Sequence, residues 1–209
     1  MNLHKFLDFF TLLFWLAQVL VVVVRVPHAA CARRLGVAST SQTKTDALLL
    51  VVANIGMYAI PLGHLVTPWL DWADYPRSEG VAWFGVGLLA AGVALFWRSH
   101  SDLGAFWSPT LQLRQGHQLV REGIYGYVRH PMYASIFLIC LAQACLLGNW
   151  LAGGSGLFAF GVFYALRIDR EEAMLLKAFG AEYQSLMQQA GRLWPIIGFA
   201  VESGDSRNN

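Results

Sequence analysis

The stretch Pro131–Leu166, PMYASIFLICLAQACLLGNWLAGGSGLFAFGVFYAL, runs for 36 residues without a charged side chain. A single helix of that length, rising about 1.5 Å per residue, would far exceed a hydrocarbon core of about 30 Å. The stretch must therefore fold back on itself, and Gly148-Asn149 near its middle supplies the turn signal. The reading is a tight hairpin of two apolar helices, about 131–147 and 150–168.

The same logic extends outward. A charge near the bilayer centre costs about 3 kcal/mol, so uncharged runs mark spans. Phe9–Val24, Ala47–Leu70 and Gly80–Trp97 give three more, at about 7–26, 47–70 and 80–97, with Pro61 placed to kink the second. The chain reads as one all-α domain, 1–209: a polytopic membrane protein of about five transmembrane helices ending in a helical hairpin. Composition agrees, since 56% hydrophobic and 13% charged residues do not suit a soluble fold of 209 residues. The net charge of +2, with basic residues in separate clusters, argues against nucleic-acid binding. Cys31, Cys140 and Cys145 form neither an even disulfide set nor a CxxC pair. No cleavage signal follows the first apolar run, which reads as a retained helix rather than a signal peptide. The polar tail 202–209 is expected to be mobile.

Arg25, Arg33, Arg34 and Lys44 crowd the first loop, whereas Asp71, Asp74 and Glu79 accompany Arg77 in the second. By the positive-inside rule the first loop is cytoplasmic, the amino terminus outside and the carboxyl terminus inside. Segment 99–115, with Leu103, Phe106, Trp107 and Leu111 among polar residues, reads as an amphipathic stretch along the inner surface.

Two polar stretches flank the hairpin and so belong together at that inner face. The entering one runs from His117 through Tyr125, Tyr127 and Arg129-His130-Pro131 to Tyr133; Pro131 suits a first helical turn, where a missing N–H is no loss. The leaving one, Arg167-Ile-Asp-Arg170-Glu171-Glu172, continues its helix to Phe179, where Gly180 ends it, and puts Arg167 and Glu171 on one face. On spacing alone, Arg129-His130 can be an interfacial anchor, Arg167–Glu171 a surface pair, and the three tyrosines an interfacial belt. His64 reads as an internally bonded residue of its span, and His4, His28 and His100 as surface residues. No histidine pair has ligand spacing with a carboxylate, so no metal is expected.

The ordered set HxLVxxGxYxxxRHPxY, an apolar hairpin, RIxxEExxLxxxFGxxY and the late Pro195 resembles the isoprenylcysteine carboxyl methyltransferase and phospholipid methyltransferase superfamily. Ser135 departs from it, standing where the family usually has glycine. The resemblance implies a cytoplasmic cofactor pocket within 112–195. His117, Gln118, Leu119, Val120, Tyr125, His130, Pro131, Met132, Tyr133 and Glu171 would bind S-adenosyl-L-methionine. Arg167 would hold the methyl acceptor, with Glu172 and Arg129 in close support. It further implies an integral membrane methyltransferase acting on a lipophilic small molecule or lipid, isoprenylcysteine carboxylate-like or phospholipid-like. Such chemistry asks for these residue types: aromatic faces attract a cationic sulfonium, and arginine binds carboxylate or phosphate in a fork. Two rivals stand beside this reading. One is an NADPH-dependent sterol-type reductase, whose motif usually has Asn before the tyrosine and an acidic residue soon after, where this chain has Met132 and Ala134-Ser135. The other is a non-catalytic scaffold that keeps the fold.

Overall fold

The computed structural model describes residue 5 and residues 8–34, 37–40, 43–104, 112–114 and 118–196, with the backbone alone given at 32–34, 37–40 and 112–114. His117, residues 105–111 and the tail 202–209 lie outside the described residues. Among the described residues, four helical stretches are long and apolar enough to cross a membrane: Phe9–Cys31, Lys44–Val66, Glu79–Leu103 and Trp150–Phe179. A fifth apolar helix, Pro131–Leu146, is shorter.

Helix α1, Phe9–Arg34, continues through Arg25 and Pro27. Arg25 does not end the helix; it lines an internal cavity from within it. Helix α2, Lys44–Asn54, opens on a capping box in which Thr43 Oγ1 accepts from the Asp46 N–H and Asp46 Oδ2 from the Thr43 N–H. It passes through a π-turn, Ile55–Ala59, into α3, Ile60–Val66. Pro61 explains the π-turn: it has no N–H for the Met57 carbonyl and its ring crowds that oxygen, so the extra residue is inserted just before it. Helix α4, Glu79–Leu103, is capped by Ser78, whose side chain accepts from the Val81 N–H.

The hairpin consists of α5, Pro131–Leu146, and α6, Trp150–Phe179. Gly148 takes φ of +59°, a left-handed conformation suited to glycine, and Asn149 caps α6 by accepting from the Ala152 N–H at 2.8 Å. Asn149 is fully buried and its Nδ2 donates to the Leu70 carbonyl and to Asp74 Oδ1, both at 2.7 Å, so the turn is tied to the loop after α3. Lys5 joins the same cluster: its Nζ lies 2.6 Å from Asp71, 3.0 Å from Asp74 and 3.2 Å from His64 Nδ1. His64 is thus an internally bonded buried residue. His64, Asp71 and Asp74 each bring one ligand-type atom within 4.8 Å of the others, a grouping that linear spacing conceals, and the Lys5 ammonium supplies a cation there.

The most extensive packing is between α4 and α5. Gly92 permits it, because a Cβ there would come within 2.9 Å of Ile139 and 3.1 Å of the Ser135 carbonyl. Ser135 is fully buried at this contact and donates to the Met132 carbonyl at 2.7 Å. A small helix α7, Ala181–Gln189, follows Gly180.

The amphipathic reading of 99–115 needs correction at both ends. Residues 99–103 belong to α4, and Gln112–Arg114 is a strand, β2, paired antiparallel with β1, Val37–Thr40. Leu111-Gln-Leu113-Arg114 alternates with a period of two, which favours a strand.

Candidate active site

The polar ends of α5 and α6 meet where the sequence places them together, and the chain after α7 locks them. His130 is the residue before α5 and Pro131 its first helical position. The Arg129 N–H donates to the Gly191 carbonyl at 2.8 Å, the His130 N–H to Arg192 at 3.0 Å, and the Gly191 N–H to Tyr127 at 3.1 Å. Residues 127–130 are therefore clamped by 190–192.

Glu172 is the hub of this clamp. It is buried, and its Oε1 accepts from Arg129 Nε at 3.2 Å and Nη2 at 3.0 Å, with His130 Nε2 also at 3.2 Å. Its Oε2 accepts from Arg192 Nη2 at 2.5 Å. Arg129 extends the network by donating to the Met187 and Ala190 carbonyls. The bond to Glu172 holds the Arg192 guanidinium's pKa above its ordinary value against the opposing effect of partial burial.

Glu171 faces the other way. The Tyr133 hydroxyl donates to its Oε2, Arg167 Nε stands 3.4 Å from the same oxygen, and His130 Nδ1 lies 3.8 Å from Oε1. Arg167 is 3% exposed, and its guanidinium sits 5.0 Å from the Phe163 ring centroid, within cation–π range. Tyr133 completes the aromatic wall, 5.5 Å from the Tyr164 ring and 6.0 Å from that of Phe160.

These groups border one cavity. Leu119, Val120, Tyr125, His130, Tyr133 and Glu171 line one part of it, with Arg129, Met132 and Arg167 among the other walls. Met57, Ile136, Ile139, Phe160 and Phe163 provide an apolar continuation between the helices. Three residues named from sequence stand outside the lining: Gln118 is exposed, Pro131 is packed into the start of α5, and Glu172 lies behind the wall. Of the three tyrosines, Tyr125 and Tyr133 line the cavity and Tyr127 is exposed. Burial pushes the Tyr125 phenol far above its ordinary pKa, aided by the Glu171 and Asp102 carboxylates, so it stays a neutral hydroxyl. Its oxygen faces the Ser99 carbonyl at 3.5 Å.

His100 corrects the surface reading. It is fully buried, its ring centroid is 4.2 Å from that of Phe96, and it lines the cavity because α4 runs past Trp97. Residues not singled out from sequence are Arg192 at the clamp and Gln18, Asn54 and Tyr58 in the cavity wall. The signals available were modest: Arg192 stands three residues before the motif's late Pro195, and Gln18 and Arg25 are seven apart, two turns of a largely apolar helix.

Residues 85–177 match the family model described as the isoprenylcysteine carboxyl methyltransferase (ICMT) family. A protein-S-isoprenylcysteine O-methyltransferase of Schizosaccharomyces pombe is 37% identical over 81 residues, covering 39% of this chain and 34% of that protein. The enzyme of that name from Homo sapiens is 28% identical over 141 residues, covering 63% of this chain and 50% of its own. The solved structure of the eukaryotic intramembrane Ras methyltransferase ICMT superposes with a TM-score of 0.50 at 27% identity, covering 73% of this chain and 52% of that one. The chain thus spans between about a third and about half the length of these relatives. The apolar helices and this intramembrane neighbour identify an integral, multi-pass membrane protein. Residues 85–177, the stretch similar to the isoprenylcysteine carboxyl methyltransferase family, carry Tyr125, Arg129, His130, Tyr133, Arg167, Glu171 and Glu172.

Proposed function

We propose that the protein is a membrane methyltransferase that moves a methyl group from S-adenosyl-L-methionine to a lipophilic acceptor at the cytoplasmic face. The observation that carries this reading is the single cavity that joins an aromatic and acidic pocket to an apolar channel, with Arg167 at their junction. The pocket's groups suit a cationic, amine-bearing donor: Tyr125 and Tyr133 offer aromatic faces, and Glu171 offers a carboxylate already oriented by Tyr133. When bound, S-adenosyl-L-methionine supplies a methyl group on a positively charged sulfur, ready for in-line displacement.

The protein's own work is then positioning and exclusion of water. Arg167 is held by Glu171 and the Phe163 face, so its guanidinium has little freedom to lose on binding an anionic acceptor group, carboxylate or phosphate. Glu172 fixes Arg129 and His130 from behind without reaching the cavity, a positioning role. The cytoplasmic assignment follows from the arginines at the end of α1 and from the polar cluster lying opposite the Gly148-Asn149 turn. A reductase gains no support from the geometry, since Ala134 and Ser135, where it would carry its acid, are both buried outside the cavity.

Calorimetric titration of the detergent-solubilised protein with S-adenosylhomocysteine tests the donor site. The expected result is saturable binding that Glu171→Ala weakens by tenfold or more; a folded sample that takes up no ligand would overturn the proposal.

A further inference from the structure

One stretch of backbone, 119–130, supplies the cavity with Leu119, Val120, Tyr125 and His130. Its last part, 127–130, is clamped by 190–192. Its middle is the tight turn Gly123–Gly126, which bears Tyr125, and a different element holds that turn. Asp102, in the last turn of α4 and upstream of the motif that begins at His117, accepts the Ile124 N–H on Oδ2 at 2.8 Å across 22 residues of chain. The same oxygen accepts from Arg98 Nε at 3.0 Å. Gly123 permits the approach: it takes φ of +60°, and a Cβ there would overlap the Asp102 carboxylate. Three residues earlier on α4, the Ser99 carbonyl faces the Tyr125 hydroxyl. The end of α4 therefore holds the tyrosine's turn by its backbone and meets the side chain at its tip.

The needs of α4 itself do not explain Asp102. A carboxylate in a helix's last turn faces the negative end of the helix dipole, where a cation is favoured. Its partner Arg98, four residues earlier, is 54% exposed, and exposed pairs of this kind contribute little. The Asp102 side chain, by contrast, is only 13% exposed, and a carboxylate that accepts a backbone N–H away from water makes one of the stronger hydrogen bonds. The bond to Ile124 is what this position gains.

We infer that Asp102 is a positioning residue of the donor pocket: by fixing the backbone of the Gly123–Gly126 turn, it keeps the Tyr125 ring in the cavity wall, against the bound donor. The inference rests on the methyltransferase reading for what Tyr125 meets; that Asp102 fixes the turn rests on geometry alone. Without the bond the turn takes up other arrangements, and the apparent affinity for the donor falls with the fraction that keeps Tyr125 in place.

The test uses the full chain in detergent. Calorimetry reads the binding of S-adenosylhomocysteine, and mass spectrometry reads amide hydrogen exchange over residues 120–127 without ligand. Asp102→Ala should weaken binding about tenfold, the size of one hydrogen bond to a charged acceptor, and should speed exchange in that segment. Asp102→Asn, which keeps an oxygen acceptor, and Arg98→Ala, which keeps the carboxylate, should each bind within about threefold of the unsubstituted protein. Should Asp102→Ala not fold, Asp102→Ser, whose hydroxyl is too short to reach Ile124, takes its place. A merely structural role would lower the thermal midpoint and leave the affinity of folded protein unchanged. That result, an equal loss in Asp102→Asn and Asp102→Ala, or unchanged exchange would each overturn the inference. If the unsubstituted protein binds no S-adenosylhomocysteine, the methyltransferase proposal falls instead, and the exchange comparison still decides whether Asp102 holds the turn.

Discussion

Replacing Glu172 with glutamine isolates the role of the buried clamp. The change keeps the shape but removes the charge that Arg129, His130 and Arg192 share. One amide oxygen remains, so either the Arg129 side or the Arg192 side must face an NH₂ group, donor against donor. Arg129 is the costly partner: its side chain is 9% exposed and would keep a buried charge without a counter-charge, whereas Arg192 is 42% exposed and can turn to water. Breaking a buried pair from one side costs about 3–5 kcal/mol, and the escape open to Arg192 places the expectation at about 3 kcal/mol. For a chain of this size that corresponds to a fall in Tm of roughly 6–12 °C. Thermal unfolding in detergent, followed by fluorescence, reads it directly. Because Glu172 does not line the cavity, the affinity of still-folded protein for S-adenosylhomocysteine should change far less than stability. Unchanged stability with abolished donor binding would refute the reasoning and make Glu172 a ligand-contacting residue.

Other perturbations separate the remaining parts. Tyr133→Phe removes the hydroxyl that donates to Glu171 but keeps the ring, so donor affinity should fall by about 1 kcal/mol, roughly fivefold, in calorimetric titration; a loss of a hundredfold or more would mean that the hydroxyl contacts the ligand itself. Gly92→Leu forces α4 from α5 and should lower stability by about 1–3 kcal/mol in a denaturation series, and an unperturbed variant would contradict the close contact with Ser135 and Ile139. Burial alone would raise the Asp8 pKa, but hydrogen bonds from Arg77 and Thr11 prevail and hold it below its ordinary value. Asp8 therefore stabilises the fold at neutral pH, and that contribution disappears as the pH falls below the usual carboxylate range. Arg77→Gln should flatten this part of the acid-unfolding curve, and an identical curve would show that the pair contributes nothing.

What could be read from sequence was set by range. The hairpin was legible because 36 uncharged residues exceed one membrane crossing and because Gly148-Asn149 and Pro131 act through their own backbone constraints. The Arg167–Glu171 pair was legible because four residues separate neighbours on one helix face. The clamp was hidden because Arg192 approaches Glu172 only after α6 has ended and α7 has turned the chain back. The Lys5–Asp71–His64 cluster joins residues about 60 positions apart, which no local spacing reveals. His100 was misplaced because charge breaks locate where a span meets polar surroundings, and α4 continues beyond that point.

The central claim is that one cavity brings a soluble methyl donor to a lipophilic acceptor beside Arg167. Its most direct test is mass spectrometry of the lipids and small molecules of membranes containing the protein, supplied with S-adenosyl-L-methionine labelled at the transferred methyl. The account predicts a labelled, lipophilic product that is lost with Arg167→Ala while that variant still binds S-adenosylhomocysteine. A product that persists in the Arg167→Ala membranes would contradict it.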